Sequence, residues 1–317
     1  MVICGGKHLT NKIIENKMIT QEFRQQVAVA IIKQRDNFTS SDAMYAKSIG
    51  LDKSIFSRLK KGETEKIAHD SFWIQQGREL GISNNTNNWK AAKTVVYTEI
   101  ESSLKFCQNY SKSMILVDDC GIGKTFCTKH IAKQLTNAFY IDCSQAATRI
   151  AFVKLLAKTI GLDMSGKFID IKNNIKYYLA MLPNPIIILD EAGDLDYSTF
   201  MTLKELWNGT DGQCAWFMMG ADGLKSKMEK GINNHKVGYR EMFSRFSDSY
   251  LKLVPREQQE RVAFYTDLIG DVAGANGAST VEINKFVKMC IAQNQKSAGT
   301  DNKSLRYLHT LIQLNNN

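Results

Sequence analysis

Proline is almost missing from this chain: three residues in 317, all after position 180, so none interrupts a helix in the first half. Cysteine is present but unpatterned. The seven residues Cys4, Cys107, Cys120, Cys127, Cys143, Cys214 and Cys290 include no C-x-x-C pair and no adjoining histidine cluster, which argues against a zinc site and a disulfide framework. No apolar run approaches the roughly 18 to 20 residues of a spanning helix, and the opening MVICGGKHLTNK lacks the apolar core of a signal peptide. A cytoplasmic protein is the expectation. Internal repeats and low-complexity runs are missing too. What remains is a chain long enough for about two domains, 44% hydrophobic and carrying a net charge of +9. Residues 1–90 hold 14 Lys and Arg against 9 Asp and Glu, an excess of +5 that makes this end the candidate for a polyanionic partner.

The first 80 residues read as helix upon helix, and the polar, Asn-rich stretch GISNNTNNWK (81–90) reads as a linker. From about 94 the pattern changes. An amphipathic helix carrying Val96, Ile100 and Leu104 precedes four short apolar runs, MILV (114–117), AFYID (138–142), IIILD (186–190) and AWFMMG (215–220), separated by helical segments. Short apolar runs alternating with helices describe a mostly parallel sheet covered on both faces. After Pro255 the chain returns to helices.

Within the basic N-terminal region, SDAMYAKSIGLDKSIFSRLKKGE (41–63) has the spacing of a helix-turn-helix. Ala46 is small where the two helices touch, Gly50 supplies the turn, and Tyr45, Ile49, Leu51, Phe56 and Leu59 fall on the inner faces. Asp52 is expected to cap the second helix. Lys53, Ser54, Ser57 and Arg58 then face outward toward a major groove, followed by Lys60 and Lys61 toward phosphates. A helical hairpin used only for packing, or for binding protein, fits the same spacing.

The run MILV leads into DDCGIGKT and an apolar-periodic helix, which is the layout of a phosphate-binding loop. Backbone N–H groups over Asp119, Cys120, Gly121, Ile122, Gly123, Lys124, Thr125 and Phe126 are the expected phosphate cradle. Lys124 supplies charge, and Thr125 supplies a hydroxyl for Mg2+. Asp118 stands where the pattern has its first glycine. Aspartate suits turns, and it fits if its carboxylate points away from the loop. Downstream, IIILDEAGDLD delivers adjacent carboxylates from a buried strand: Asp190 is the expected Mg2+ ligand and Glu191 the base that activates water.

The loop, the strand ending in Asp190 and Glu191, the later strand CAWFMMGAD and the C-terminal helices together resemble an AAA+ ATPase over roughly 95–317. FYIDCSQAATRIAFVKLLAKTIGL is similar to a segment of helper ATPases in DNA transposition, and with the helix-turn-helix the arrangement resembles target-selection ATPases of the phage Mu transposition protein B type. The resemblance implies an α/β AAA+ P-loop ATPase with a parallel sheet flanked by helices. Its parts would be a helix-turn-helix domain (1–80), a linker (81–93), an ATPase core (94–254) and a helical lid (255–317). It further implies ATP and Mg2+, duplex DNA, self-assembly into a ring or filament, and a transposase partner, in a protein encoded by a bacterium, phage or mobile element. In YREMFSRFSDSYLKL it makes Arg245, with Arg240 as runner-up, the arginine finger serving a neighbouring subunit, and in DNKSLRYLHTLI it makes Arg306 the lid arginine at the phosphates. The first sensor, expected near Gly220 to Asp222, meets Ala221, which with Asp118 implies slow hydrolysis. The rival expectation is an ATP-responsive regulator recognising a specific operator.

Overall fold

The apolar runs of the central region form one parallel sheet in a computed structural model that describes residues 19–36, 38, 41–82, 89–291 and 305–315. The opening residues, most of the Asn-rich stretch 81–90 and the segment 292–304 lie outside the described residues. The strands are β1 (Ser113–Val117), β2 (Ala138–Asp142), β3 (Ile186–Asp190), β4 (Ala215–Gly220) and β5 (Tyr250–Leu251), in the spatial order β2-β3-β4-β1-β5. All four pairings are parallel. The strand β5, absent from the sequence reading, is two residues long and carries no periodicity to detect; it pairs with Ile115 and Leu116.

Successive side chains leave a strand on opposite faces, and both faces here are apolar. Ile115, Val117, Ile187, Leu189, Trp216 and Met218 pack on one side with α7 (Arg149–Thr159), α8 (Phe168–Met181), α9 (Tyr197–Asn208), α10 (Asp222–Asn233) and α11 (Tyr239–Arg245). Leu116, Ile186, Ile188, Phe217 and Met219 pack on the other with α5 (Val95–Tyr110), α6 (Lys124–Ala132), α12 (Gln258–Ala275), α13 (Thr280–Ile291) and α14 (Leu305–Asn315).

Among the described residues, four helices precede α5: α1 (Gln21–Arg35), α2 (Asp42–Ser48), α3 (Lys53–Lys60) and α4 (Asp70–Leu80). The turn between α2 and α3 places Gly50 at φ 78°, in the left-handed region that favours glycine. Tyr45, Ala46, Phe56 and Leu59 are buried between these helices, Tyr45 and Phe56 meeting edge to face at 5.4 Å, while the Tyr45 hydroxyl donates to Ile31 O at 2.9 Å. The expected cap on α3 is not made: Asp52 occupies the N-cap position, but its side chain accepts no capping hydrogen bond. Its carboxylate is exposed to water, where solvation competes with the helix N–H groups.

These helices rest on the sheet layer. Phe38 lies edge-on to Phe139 at 6.0 Å and covers Gly161, where a Cβ would come within 2.4 Å of the Phe38 ring. Lys47 pairs with Asp163 at 3.0 Å, and Lys158 pairs with Glu79.

Candidate functional site

In an open parallel sheet, ligands bind beyond the carboxyl ends of the strands. Here β1 delivers residues 118–123 to that edge and β3 delivers Asp190 and Glu191, with β4 between them. Two strand spacings, about 10 Å, separate the two deliveries, leaving room for a phosphate group and a cation. The loop makes its turns through Gly121 (φ 77°) and Gly123 (φ 94°), which begins α6 without a side-chain cap. The first turn of α6 holds no acidic residue, so its N–H groups and dipole are available to an anion.

Asp118 resolves as the sequence reading required. Its carboxylate is buried with one oxygen turned from the loop: Oδ2 accepts from Leu253 N and, at 3.0 Å, from Val254 N, while Oδ1 accepts from Asp119 N at 2.8 Å and so removes that N–H from the expected phosphate cradle. Where the usual pattern has a glycine, this chain uses a side chain to tie the loop to the segment leaving β5.

Lys124 donates from Nζ to Asp118 O at 2.8 Å and to Asp119 O at 2.6 Å. Burial pushes its pKa below the ordinary lysine value, opposed by the nearby carboxylates of Asp118, Asp119 and Asp190. The ammonium is thus held at the loop by weak partners that an incoming phosphate can replace. The Thr125 hydroxyl is on an exposed residue and makes no hydrogen bond to a described residue, and Phe126 is exposed beside His130.

Asp190 is buried at the end of β3. Its Oδ1 accepts from Glu191 N at 2.9 Å, and its Oδ2 accepts from the Tyr140 hydroxyl at 2.6 Å. In register, Tyr140 lies opposite Ile188, so its ring reaches diagonally along the sheet to the next residue of the same face. Glu191 sits at φ 50°, uncommon for a residue with a side chain. Burial raises its pKa, with the neighbouring carboxylates of Asp190 and Asp194 adding to the effect, which suits a proton acceptor. The turn after it is held by Lys227 of α10, whose Nζ donates to Gly193 O at 2.8 Å and to Leu195 O.

These donors fit ATP and Mg2+. Thr125 and Asp190 would be the oxygen ligands for a cation that ordinarily completes its shell with phosphate and water. No self-sufficient group of His, Cys, Asp and Glu ligands exists among the described residues.

The C-terminal helices close over the loop. Leu305 N donates to Gly121 O at 2.9 Å, which sets Arg306, exposed in the first turn of α14, beside the loop. Asp119 is engaged by two residues of α12 that the sequence reading missed, Arg261 and Tyr265. They are four apart and share a helix face, a signal visible in the sequence; their partner, more than 140 positions away, is not.

Arg245 is elsewhere. Its guanidinium lies 5.3 Å over the Trp207 ring, whose Nε1 donates to Ser113 Oγ, and Ser247 Oγ donates to Ser113 O, both at 2.9 Å. Ser113 opens β1 and the loop follows its end, so within one chain Arg245 sits at the opposite edge of the sheet from the phosphate loop. The runner-up, Arg240, is more exposed and lies 3.4 Å from Asp248. At the expected first sensor, Ala221 is the N-cap of α10, and within Gly220–Asp222 the one polar side chain is that of exposed Asp222.

All six candidates of the helix-turn-helix, Lys53, Ser54, Ser57, Arg58, Lys60 and Lys61, are exposed on or next to α3. Arg58 is paired with Glu63 at 2.8 Å and Lys60 with Asp42 at 2.9 Å. No helix among the described residues is long and apolar enough to cross a membrane.

No curated protein matches this chain. Among solved structures it is similar to NtrX from Brucella abortus in complex with ATP, at 10% identity and a TM-score of 0.42, over 83% of this chain and 59% of that one. The present chain therefore spans less than two thirds of that protein's length. Residues 108–228, from the end of α5 through the loop and both carboxylates into α10, match the family model described as AAA domain.

Proposed function

We propose that this protein is a DNA-binding ATPase that assembles on duplex DNA when loaded with ATP and presents that DNA to a transposase. The observation that carries the reading is the pairing, in one chain, of a phosphate loop facing Asp190 and Glu191 with an exposed basic helix in a helix-turn-helix. Bound Mg2+ would offset charge on the β- and γ-phosphates. The N–H groups of 120–126 and Lys124 would bind those phosphates, the Asp119 N–H being taken by Asp118; Thr125 and Asp190 would hold the cation, Tyr140 orients Asp190, and Glu191 would accept the proton of the attacking water. Arg306 approaches the phosphates from α14. Because Arg245 lies across the sheet from its own loop, any contact it makes with a γ-phosphate is to a neighbouring copy, which makes hydrolysis depend on assembly. Lys53 and Lys61, which carry no ion pair to a described residue, meet DNA phosphates first; Arg58 and Lys60 exchange an internal carboxylate for a phosphate.

Electron microscopy of the protein with duplex DNA of arbitrary sequence, without nucleotide, with ADP and with a non-hydrolysable ATP analogue, tests this. Rings or filaments with the analogue alone are expected. Dimers under every condition, together with footprinting of one discrete palindromic site, would replace the reading with that of an operator-binding regulator.

A further inference from the structure

The phosphate loop of this chain carries two carboxylates, Asp118 and Asp119, next to the place reserved for a polyanion. Left uncompensated, each opposes binding, since like charges close together in a partly buried site repel far more strongly than they do in water. Both are drawn off by residues that follow the sheet. Asp118 is held by the N–H groups of Leu253 and Val254. Asp119 Oδ2 is held by the Arg261 guanidinium and, at 2.6 Å, by the Tyr265 hydroxyl, both from α12. The Arg261 side chain is mostly buried, and its guanidinium lies 5.6 Å from the Tyr265 ring, so the pair presents one preformed surface to the carboxylate. Burial, with Asp119 beside it, raises the Tyr265 pKa, which keeps that hydroxyl a donor.

We propose that Arg261 and Tyr265 are positioning residues of the nucleotide site: they hold the Asp119 carboxylate away from the triphosphate and so make the seating of α12 a condition of nucleotide binding. This rests on the nucleotide-site reading above. Two consequences follow from the geometry. A nucleotide that fills the loop favours the state in which α12 is docked, and a displacement of α12 by a neighbouring subunit or by DNA releases a negative charge into the phosphate site and weakens nucleotide binding by the same factor.

The test is titration of the full-length protein with a fluorescent, non-hydrolysable ATP analogue, with the thermal melt of each variant recorded. Arg261→Ala is expected to weaken binding by about tenfold or more, Tyr265→Phe by less, and the double variant Asp119→Asn/Arg261→Ala to regain affinity to within about threefold of the wild type. A merely structural role for Arg261 predicts no such rescue. Two results overturn the proposal: Arg261→Ala binding as the wild type does, or a loss that persists in the double variant while its melt matches the wild type. A wild-type protein that binds no analogue sinks the nucleotide reading itself.

Discussion

The helix-turn-helix and the nucleotide site place their charges in opposite ways. On α3 the candidate residues fall within nine consecutive positions, all exposed, and two of the four basic ones are engaged by surface carboxylates. Around the loop, by contrast, Asp118, Asp119, Lys124 and Asp190 are each held by hydrogen bonds, to backbone groups or to the side chains of Tyr140 and Tyr265, and Asp119 also pairs with Arg261. The difference lies in solvent. Exposed pairs contribute from nothing to about 1 kcal/mol because water screens them, whereas partly buried charges have no such alternative and must be satisfied by fixed hydrogen-bond partners. Substitutions on α3 should therefore act independently and by degrees, and substitutions at the loop should act strongly and depend on each other.

The largest effect tests the loop side of that contrast. Lys124→Ala is expected to abolish ATP binding and, with it, ATP-dependent assembly on DNA. Assemblies by electron microscopy unchanged from wild type would remove the ATP switch altogether. Glu191→Gln keeps the phosphate and cation contacts and removes the proton acceptor, so hydrolysis should fall by about 100-fold or more while the ATP-bound assembly persists. Dissociation as fast as the wild type's, measured by light scattering after dilution of nucleotide, would show that Glu191 is not the base.

On the α3 side, Lys53→Ala and Lys61→Ala should each weaken duplex binding modestly, and the double variant should equal their sum. Each should reduce the slope of log affinity against log salt by about 1. A change confined to one DNA sequence would instead mark the residue as a reader of bases. The smallest expected effect is on the turn: Gly50→Ala places a side chain at φ 78° with open space around it, so it should cost about 1 to 2 kcal/mol of stability by denaturant titration. DNA binding in that variant should remain additive with the α3 substitutions; strong coupling between them would erase the contrast between the regions.

The same contrast explains what could be read in advance. The helix-turn-helix spacing and the four longer strands are local patterns, and they stand where the sequence put them. Asp118 was legible as a misfit and even as a carboxylate turned away, but not its partners at 253 and 254, because those N–H groups belong to backbone that any sequence would carry. The Asp52 cap failed for the reverse reason: the residue type was right, but an exposed carboxylate gains little by leaving water. Tyr140 was hidden inside an apolar run, and only strand register shows that its hydroxyl meets Asp190.

By itself, then, the sequence determined the alternation of apolar runs and helices that yields a parallel sheet, the glycines that turn the phosphate loop, the basic face of α3, and the acidic pair at the end of β3, since each depends on residues close in the chain. Tertiary structure alone decided that Asp119 answers to Arg261 and Tyr265, that Leu305 touches Gly121, and that Arg245 lies across the sheet from its own loop. Those relations follow from how strands and helices distant in sequence are brought together, and burial makes each charge depend on whichever partner that packing supplies.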